Sequence, residues 1–216
     1  MKLPDDVVLR ALTFDAEETE AWRAMLPDEE RARHEQFPVQ KRKREFLLGR
    51  AALRTLLADR MRIPPQHVPL RIAEHGALEV PGTAYHVSLT HAENRAVAAL
   101  AERPVGIDLE RVAARDASVT EFLLHPSERA LLDTLPLSED AAFTLCWTLK
   151  EAVLKALGTG LRRSPKKLRL EIDAEEQTAT VRAWNGSAWQ AAFEERNGFF
   201  LSVAWPAPQE HHQNRG

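Results

Sequence analysis

The order of apolar and polar residues in this 216-residue chain runs the same course twice, which limits the folds open to it more than any single residue does. In the first half, "VVLRALTF" (7–14) reads as a strand. Two helical segments follow, "DAEETEAWRAML" (15–26) and "DEERARHEQF" (28–37), divided by Pro27. "KRKREFLLGRAALRTLLADRM" (41–61) repeats its apolar residues at helical spacing and ends near Pro64. "VPLRIAEHG" (68–76) suggests a strand into a turn. The stretch 84–112 suggests three short strands with turns at "HAEN" and "ERP". The second half again has short helical segments, "SVTEFLL" (118–124) and "HPSERALLDTL" (125–135), and then a long one, "SEDAAFTLCWTLKEAVLKAL" (138–157). Ser138 is its N-cap candidate and Gly158 its stop. Strand candidates at 166–173, 178–184, 188–195 and 198–205 close an antiparallel sheet. The repetition lies in pattern, not in residue identity.

At this length one large domain or two small lobes can bury a core. A formal net charge of −3 lacks the basic field that nucleic-acid binders carry. The single cysteine, Cys146, rules out a disulfide within the chain and fits a reducing cytoplasm. The opening "MKLPDDVVLR" carries acids where a signal peptide carries cations, and no apolar run is long enough to span a bilayer. Residues 207–216 read as a flexible polar tail, whose His211 and His212 are more simply solvated than metal-bound.

Two short stretches carry most of the chemistry. In "VGIDLE" (105–110) a strand would put Val105, Ile107 and Leu109 on one face and Gly106, Asp108 and Glu110 on the other. Adjacent carboxylates repel and raise each other's pKa unless a cation lies between them, and hard oxygen ligands suit Mg²⁺. Gly106 on that face would leave room for a ligand. Taken alone, the pair reads first as a solvent-facing edge strand. In "WTLKEAVLK" (147–155) a helix puts Trp147, Glu151 and Lys155 along one side. Glu151 and Lys155 have the spacing of a surface ion pair, and Lys150 adds a cation beside them. Two further signals are weaker. Thr90 and His91 in "SLTHAEN" (88–94) suit a phosphate or merely a turn. The run "KRKREFLLGRAALR" is a solvated face or an anion site. His91 has no nucleophile–acid set around it that would make a hydrolase triad.

Taken in order, these stretches resemble the 4′-phosphopantetheinyl transferases, in particular their two-lobed type. Gly106-Ile107-Asp108-Leu109-Glu110 matches the family's G-[IV]-D-x-E motif, and Trp147 to Lys155 matches W-x-x-K-E-[AS]-x-x-K. "SLTH" (88–91) resembles the upstream element, "FLLGRAALR" the N-terminal helix, and "EFLLHPSERALL" (121–132) the segment after the metal motif. The resemblance runs from about residue 27 to residue 161. Ser88 and Thr90 replace the more usual asparagine and serine. Ala77 stands where the family has lysine and supplies no cation.

The resemblance implies an α+β fold of two similar α/β lobes, 1–104 and 105–206, related by a pseudo-two-fold axis with the cofactor in the cleft between them. It implies a monomer that transfers the 4′-phosphopantetheine arm of coenzyme A to a serine of an apo acyl or peptidyl carrier protein and releases 3′,5′-ADP. Asp108, Glu110 and Glu151 would hold Mg²⁺ (or Mn²⁺), and Glu151 would act as the base. Lys155 would stabilise phosphoryl oxygens or the leaving group, and Lys150 would lie near the pyrophosphate. Thr90, His91, Arg44 and Arg50 would hold the nucleotide phosphates. Trp147 is assigned to packing. A basic patch near "LRRSPKK" (161–167) would receive an acidic carrier. A non-catalytic coenzyme A or carrier-binding module is the alternative, and it would not need all of Asp108, Glu110, Glu151 and Lys155.

Overall fold

The computed structural model describes residues 1–73 and 76–208; the expected tail beyond 208, with His211 and His212, lies outside them. The chain starts with β1 (Val8–Thr13), α1 (Thr19–Ala24), α2 (Asp28–Gln36) and the long α3 (Gln40–Met61). It continues through β2 (Arg71–Ile72), β3 (Leu78–Glu79), β4 (His86–Ala92) and β5 (Arg95–Ala101). The same series then recurs: β6 (Gly106–Arg111), α4 (Ala117–Leu123), α5 (Arg129–Thr134), α6 (Glu139–Ala156), β7 (Arg169–Asp173), β8 (Thr178–Arg182), β9 (Ala188–Arg196) and β10 (Phe199–Pro206).

Each series makes one five-stranded antiparallel sheet, ordered β1-β5-β4-β3-β2 in the first and β6-β10-β9-β8-β7 in the second. In both, the first strand pairs with the last and the remaining strands meander outward. The repetition in the sequence is therefore a repetition of topology, and the two lobes are alike strand for strand.

Side-chain alternation explains how the layers stack. On β5, Ala96, Ala98 and Leu100 pack with Leu53, Leu56 and Leu57 of α3, whereas Val97, Ala99 and Ala101 face the second sheet. A strand buried on both faces reads as an unbroken apolar run, which is the appearance of "AVAALA". β10 behaves likewise. Phe200 and Ala204 pack with Leu145, Leu149 and Val153 of α6, and Val203 and Trp205 join Val97, Ala99 and Ile107 between the sheets. The order is α3, first sheet, second sheet, α6.

α6 starts where expected, with Ser138 accepting a hydrogen bond from the Ala141 N–H (3.4 Å) and Glu139 and Asp140 in the first turn, where the helix dipole favours acids. Other boundaries differ from expectation. The strand read at 68–76 is only the two residues of β2, and β3 follows the turn at Gly76. α1 is shorter than its pattern suggests, because Asp15 accepts from the Glu17 N–H (2.9 Å) in a turn that delays the helix.

Gly106 has a different reason from the one its place in the motif suggests. A Cβ there would lie 1.8 Å from the Ala152 carbonyl oxygen and 2.6 Å from the Ala156 nitrogen. The space a glycine opens is filled by the backbone of α6, not by a ligand. Gly106→Ala is expected to lower stability by about 3 kcal/mol or more, because helix backbone, unlike a side chain, cannot swing aside. The midpoint of denaturant unfolding measures this, and a loss under about 1 kcal/mol would contradict the close approach.

Candidate active site

That close approach sets Asp108 against α6. Asp108 is paired across the sheet with Ser202, whose hydroxyl hydrogen-bonds Thr148 of α6 (2.7 Å). Cross-strand partners share a face, so the Asp108 carboxylate lies on the α6 side. There Lys155 donates to Asp108 Oδ1 (2.8 Å), to the Ile107 carbonyl (3.0 Å) and to the Leu89 carbonyl (3.5 Å). The spacing of Glu151 and Lys155 suggested a surface ion pair, but Lys155 has turned instead to a strand far away in the sequence.

The charges do not balance. Among the described residues Asp108 Oδ2 and Glu151 Oε1 are both buried without a hydrogen-bond partner, a costly state for carboxylate oxygens. Burial pushes the Glu151 carboxyl up from its ordinary 4.5 to about 7, and the Asp108 and Glu110 charges add to this against the pull of Lys155. Glu110 is also raised, first by burial and then by Asp108, although Arg115 contacts it at 3.3 Å. Three carboxylates thus share Lys155 and Arg115 as nearby cations.

Among the described residues no three His, Cys, Asp or Glu side chains form a ready-made metal cage. Mg²⁺ seldom needs one, because it keeps several waters and takes only one or two carboxylates besides phosphate oxygens. The two orphaned oxygens and the surplus negative charge fit a hard cation.

Lys155 also borders a cavity of about 190 Å³ between the lobes, which Ala77, Val87 and Leu89 line from the first and Gly158 and Gly160 from the second. Ala77 therefore faces this cavity with a methyl group. Arg44 is exposed on α3, stacked over the Phe14 ring (5.2 Å), and lines a cavity of about 570 Å³ with Lys41, Leu48, Glu93 and Asn94. His91 is exposed near the same β4–β5 turn.

Three expected contacts are corrected. Arg50 is buried, paired with Glu30 (2.8 Å) and stacked on Phe46, while Arg54 grips the other Glu30 oxygen (2.7 Å). The Arg50 N–H is not aligned for a hydrogen bond, so the contact is an ion pair that fastens α2 to α3. It does not reach out to a nucleotide. Lys150 is wholly buried on the far side of α6, where it pairs with Glu128 (2.6 Å) and donates to the Leu123 carbonyl (3.1 Å). Thr90 is buried, and its hydroxyl proton goes to Asp108 Oδ1 (3.2 Å), so it has no donor left for a phosphate oxygen.

Arg115, Glu128 and Ser88 went unassigned in the sequence. Glu128 accepts from the His125 N–H (2.8 Å) and the Leu170 N–H (3.1 Å) as well as from Lys150, and so joins three segments. Its place in "EFLLHPSERALL" was the one available signal. Trp147 packs beside Phe143, with ring centroids 6.3 Å apart. Among the described residues no helix is long and apolar enough to cross a membrane.

Two α/β lobes of one topology, with a lysine and three carboxylates gathered where they meet, form a site whose surplus negative charge fits a hard cation. The chain matches the 4′-phosphopantetheinyl transferase superfamily over residues 104–204 and the 4′-phosphopantetheinyl transferase N-terminal domain over 29–101. It belongs to the 4′-phosphopantetheinyl transferase superfamily.

Among its relatives, the transferase gsp of Aneurinibacillus migulanus is 32% identical over 116 residues, which are 53% of this chain and 48% of that protein. The transferase HetI of a Nostoc strain is 29% identical over 227 aligned positions, covering 88% of this chain and 92% of that protein. A solved structure, the Helicobacter pylori holo-[acyl-carrier-protein] synthase in complex with coenzyme A, aligns at 21% identity with a TM-score of 0.39, covering 48% of this chain and 99% of that one.

Proposed function

We propose that this protein transfers the 4′-phosphopantetheine arm of coenzyme A to a serine of an apo acyl or peptidyl carrier protein. The observation that carries this reading is the meeting of Asp108, Glu110 and Glu151 with Lys155 between the lobes of a chain from this superfamily. The serine hydroxyl attacks the phosphorus that bears pantetheine. A new phosphorus–oxygen bond forms, the pyrophosphate bridge breaks, and 3′,5′-ADP leaves.

Asp108, Glu110 and Glu151 are the residues that would hold Mg²⁺, which when bound supplies neutralisation of pyrophosphate charge. Glu151, which a bound cation would keep as the carboxylate, takes the serine proton. Lys155 neutralises charge on the phosphoryl oxygens or on the leaving 3′,5′-ADP. Arg44 and His91 are offered for the nucleotide phosphates; Arg44 lines the cavity beside the β4–β5 turn, and both side chains are exposed there. Residues 1–104 and 105–206 are taken as the two lobes. Since one chain contributes both sides of the cleft, we take it to work as a monomer, and a buried free thiol suits the cytoplasm.

Formation of 3′,5′-ADP tests the transfer against simple binding. It should require coenzyme A, Mg²⁺ and an apo-carrier together. Tight coenzyme A binding with no 3′,5′-ADP would point instead to a binding module.

The Glu151 shift gives a signed pH prediction. Its folded-state pKa lies above the unfolded value, so stability present below about 4.5 is lost as pH rises to about 7 in the metal-free protein. A cation favours the carboxylate form. Magnesium binding at about pH 6 should therefore release close to one proton, and at about pH 8 close to none. Calorimetric titration in buffers of different ionisation enthalpy reads this directly. Proton release that does not change with pH would contradict it.

A further inference from the structure

β6 is an edge strand of the second sheet, so its backbone N–H groups at Ile107 and Leu109 have no strand partner on that side. Hydroxyls from the other lobe serve instead. Ser88 Oγ accepts from the Ile107 N–H (3.1 Å), and Thr90 Oγ1 accepts from the Leu109 N–H (3.1 Å). The two hydroxyls lie two residues apart on one face of β4, in step with alternate residues of β6. Thr90 does one thing more, because its proton goes to Asp108 Oδ1 (3.2 Å), the oxygen that Lys155 also holds. Asp108 Oδ2 is then the oxygen left without a partner among the described residues.

We infer that Thr90 is a positioning residue of the transfer reaction: it locks the rotation of the Asp108 carboxylate so that Oδ2 stays free for the cation. This rests on the transferase reading above and assigns Thr90 a task other than touching coenzyme A. A hydroxyl accepting a backbone N–H at one lone pair has a fixed seat, and its proton can then be aimed. A valine of the same shape keeps the packing and loses both bonds. The Asp108 carboxylate could then turn and share its oxygens differently with Lys155. Because Thr90 belongs to the first lobe and Asp108 to the second, the cation site becomes sensitive to how the lobes are seated.

The test uses the full chain with coenzyme A, Mg²⁺ and an apo-carrier, and compares Thr90→Val, Thr90→Ser and Ser88→Ala with the parent. Two readouts follow Mg²⁺: the concentration giving half-maximal rate, and the concentration giving half of the metal-induced rise in Tm. Thr90→Val should raise both by about tenfold or more, the scale on which groups orienting a metal ligand act. Its KM for coenzyme A should stay within about twofold, and Thr90→Ser should restore the metal dependence to within about threefold. Ser88→Ala removes a backbone bond of the same kind, and among the described residues Ser88 bonds no carboxylate. It should lower Tm and leave the metal dependence unchanged. An unaltered metal dependence in Thr90→Val overturns the inference. So does a raised KM for coenzyme A with normal metal dependence, or a serine variant as poor as the valine. A parent protein that performs no transfer would sink the transferase reading itself, a separate outcome.

Discussion

Asp108→Asn is expected to lower the rate of transfer about a thousandfold, roughly 4 kcal/mol of transition-state stabilisation, while leaving the fold in place. Asparagine has the shape of aspartate and can still accept from Thr90 and Lys155. What it lacks is the charge, and with it the reason for a cation to settle between Asp108 and Glu151. Removing one of three neighbouring carboxylates also relieves their repulsion, so Tm should hold or rise. The Glu151 pKa should fall toward the ordinary carboxylate range, since Asp108 is the largest charge raising it. A variant with full activity and unchanged Mg²⁺ dependence would remove Asp108 from the site.

Lys150→Met carries the second large effect, and it is an effect on stability. The Lys150–Glu128 pair is almost wholly enclosed, with side chains 0% and 4% exposed. Deleting one member of such a pair leaves a buried charge uncompensated, at a cost of about 3–5 kcal/mol. For a chain of this size that corresponds to a fall in Tm of roughly 6–20 °C. The Leu123 carbonyl loses its donor as well, so the segment before α5 should loosen first. Below the melting range the remaining folded protein should keep its KM for coenzyme A. A variant with normal Tm and a failed reaction would return Lys150 to the cleft. Both lysines of "WTLKEAVLK" are thus ion-paired within their own lobe, but Lys150 is enclosed there, whereas Lys155 also reaches the Leu89 carbonyl of the other lobe.

The difference between those lysines also shows what a sequence can disclose here. That Asp108, Glu110, Glu151 and Lys155 lie together was legible because strand and helix periodicities assign faces, and two motifs in a fixed order restrict what those faces meet. The duplicated topology was legible for the same reason, as an order of elements. Arg50, Lys150 and Thr90 were misread because their partners lie elsewhere in the chain. Glu30 claims Arg50, Glu128 claims Lys150, and the Leu109 N–H and Asp108 claim Thr90. A charged or hydroxyl side chain looks available for a ligand until its partner is placed. Gly106 was misread in a related way. Its missing side chain was visible, but that a helix backbone fills the gap depends on tertiary packing. The two-residue strands β2 and β3 are too short to show any periodicity.

In the proposed reaction the cleft between the lobes moves phosphopantetheine from coenzyme A to a carrier serine. Intact-mass measurement of apo-carrier proteins, after incubation with this protein, coenzyme A and Mg²⁺, tests it most directly. The predicted result is a gain equal to one phosphopantetheine arm, lost when the acceptor serine is replaced by alanine and lost when the metal is chelated. An unmodified mass across acyl and peptidyl carriers, with coenzyme A bound to the protein throughout, would contradict it.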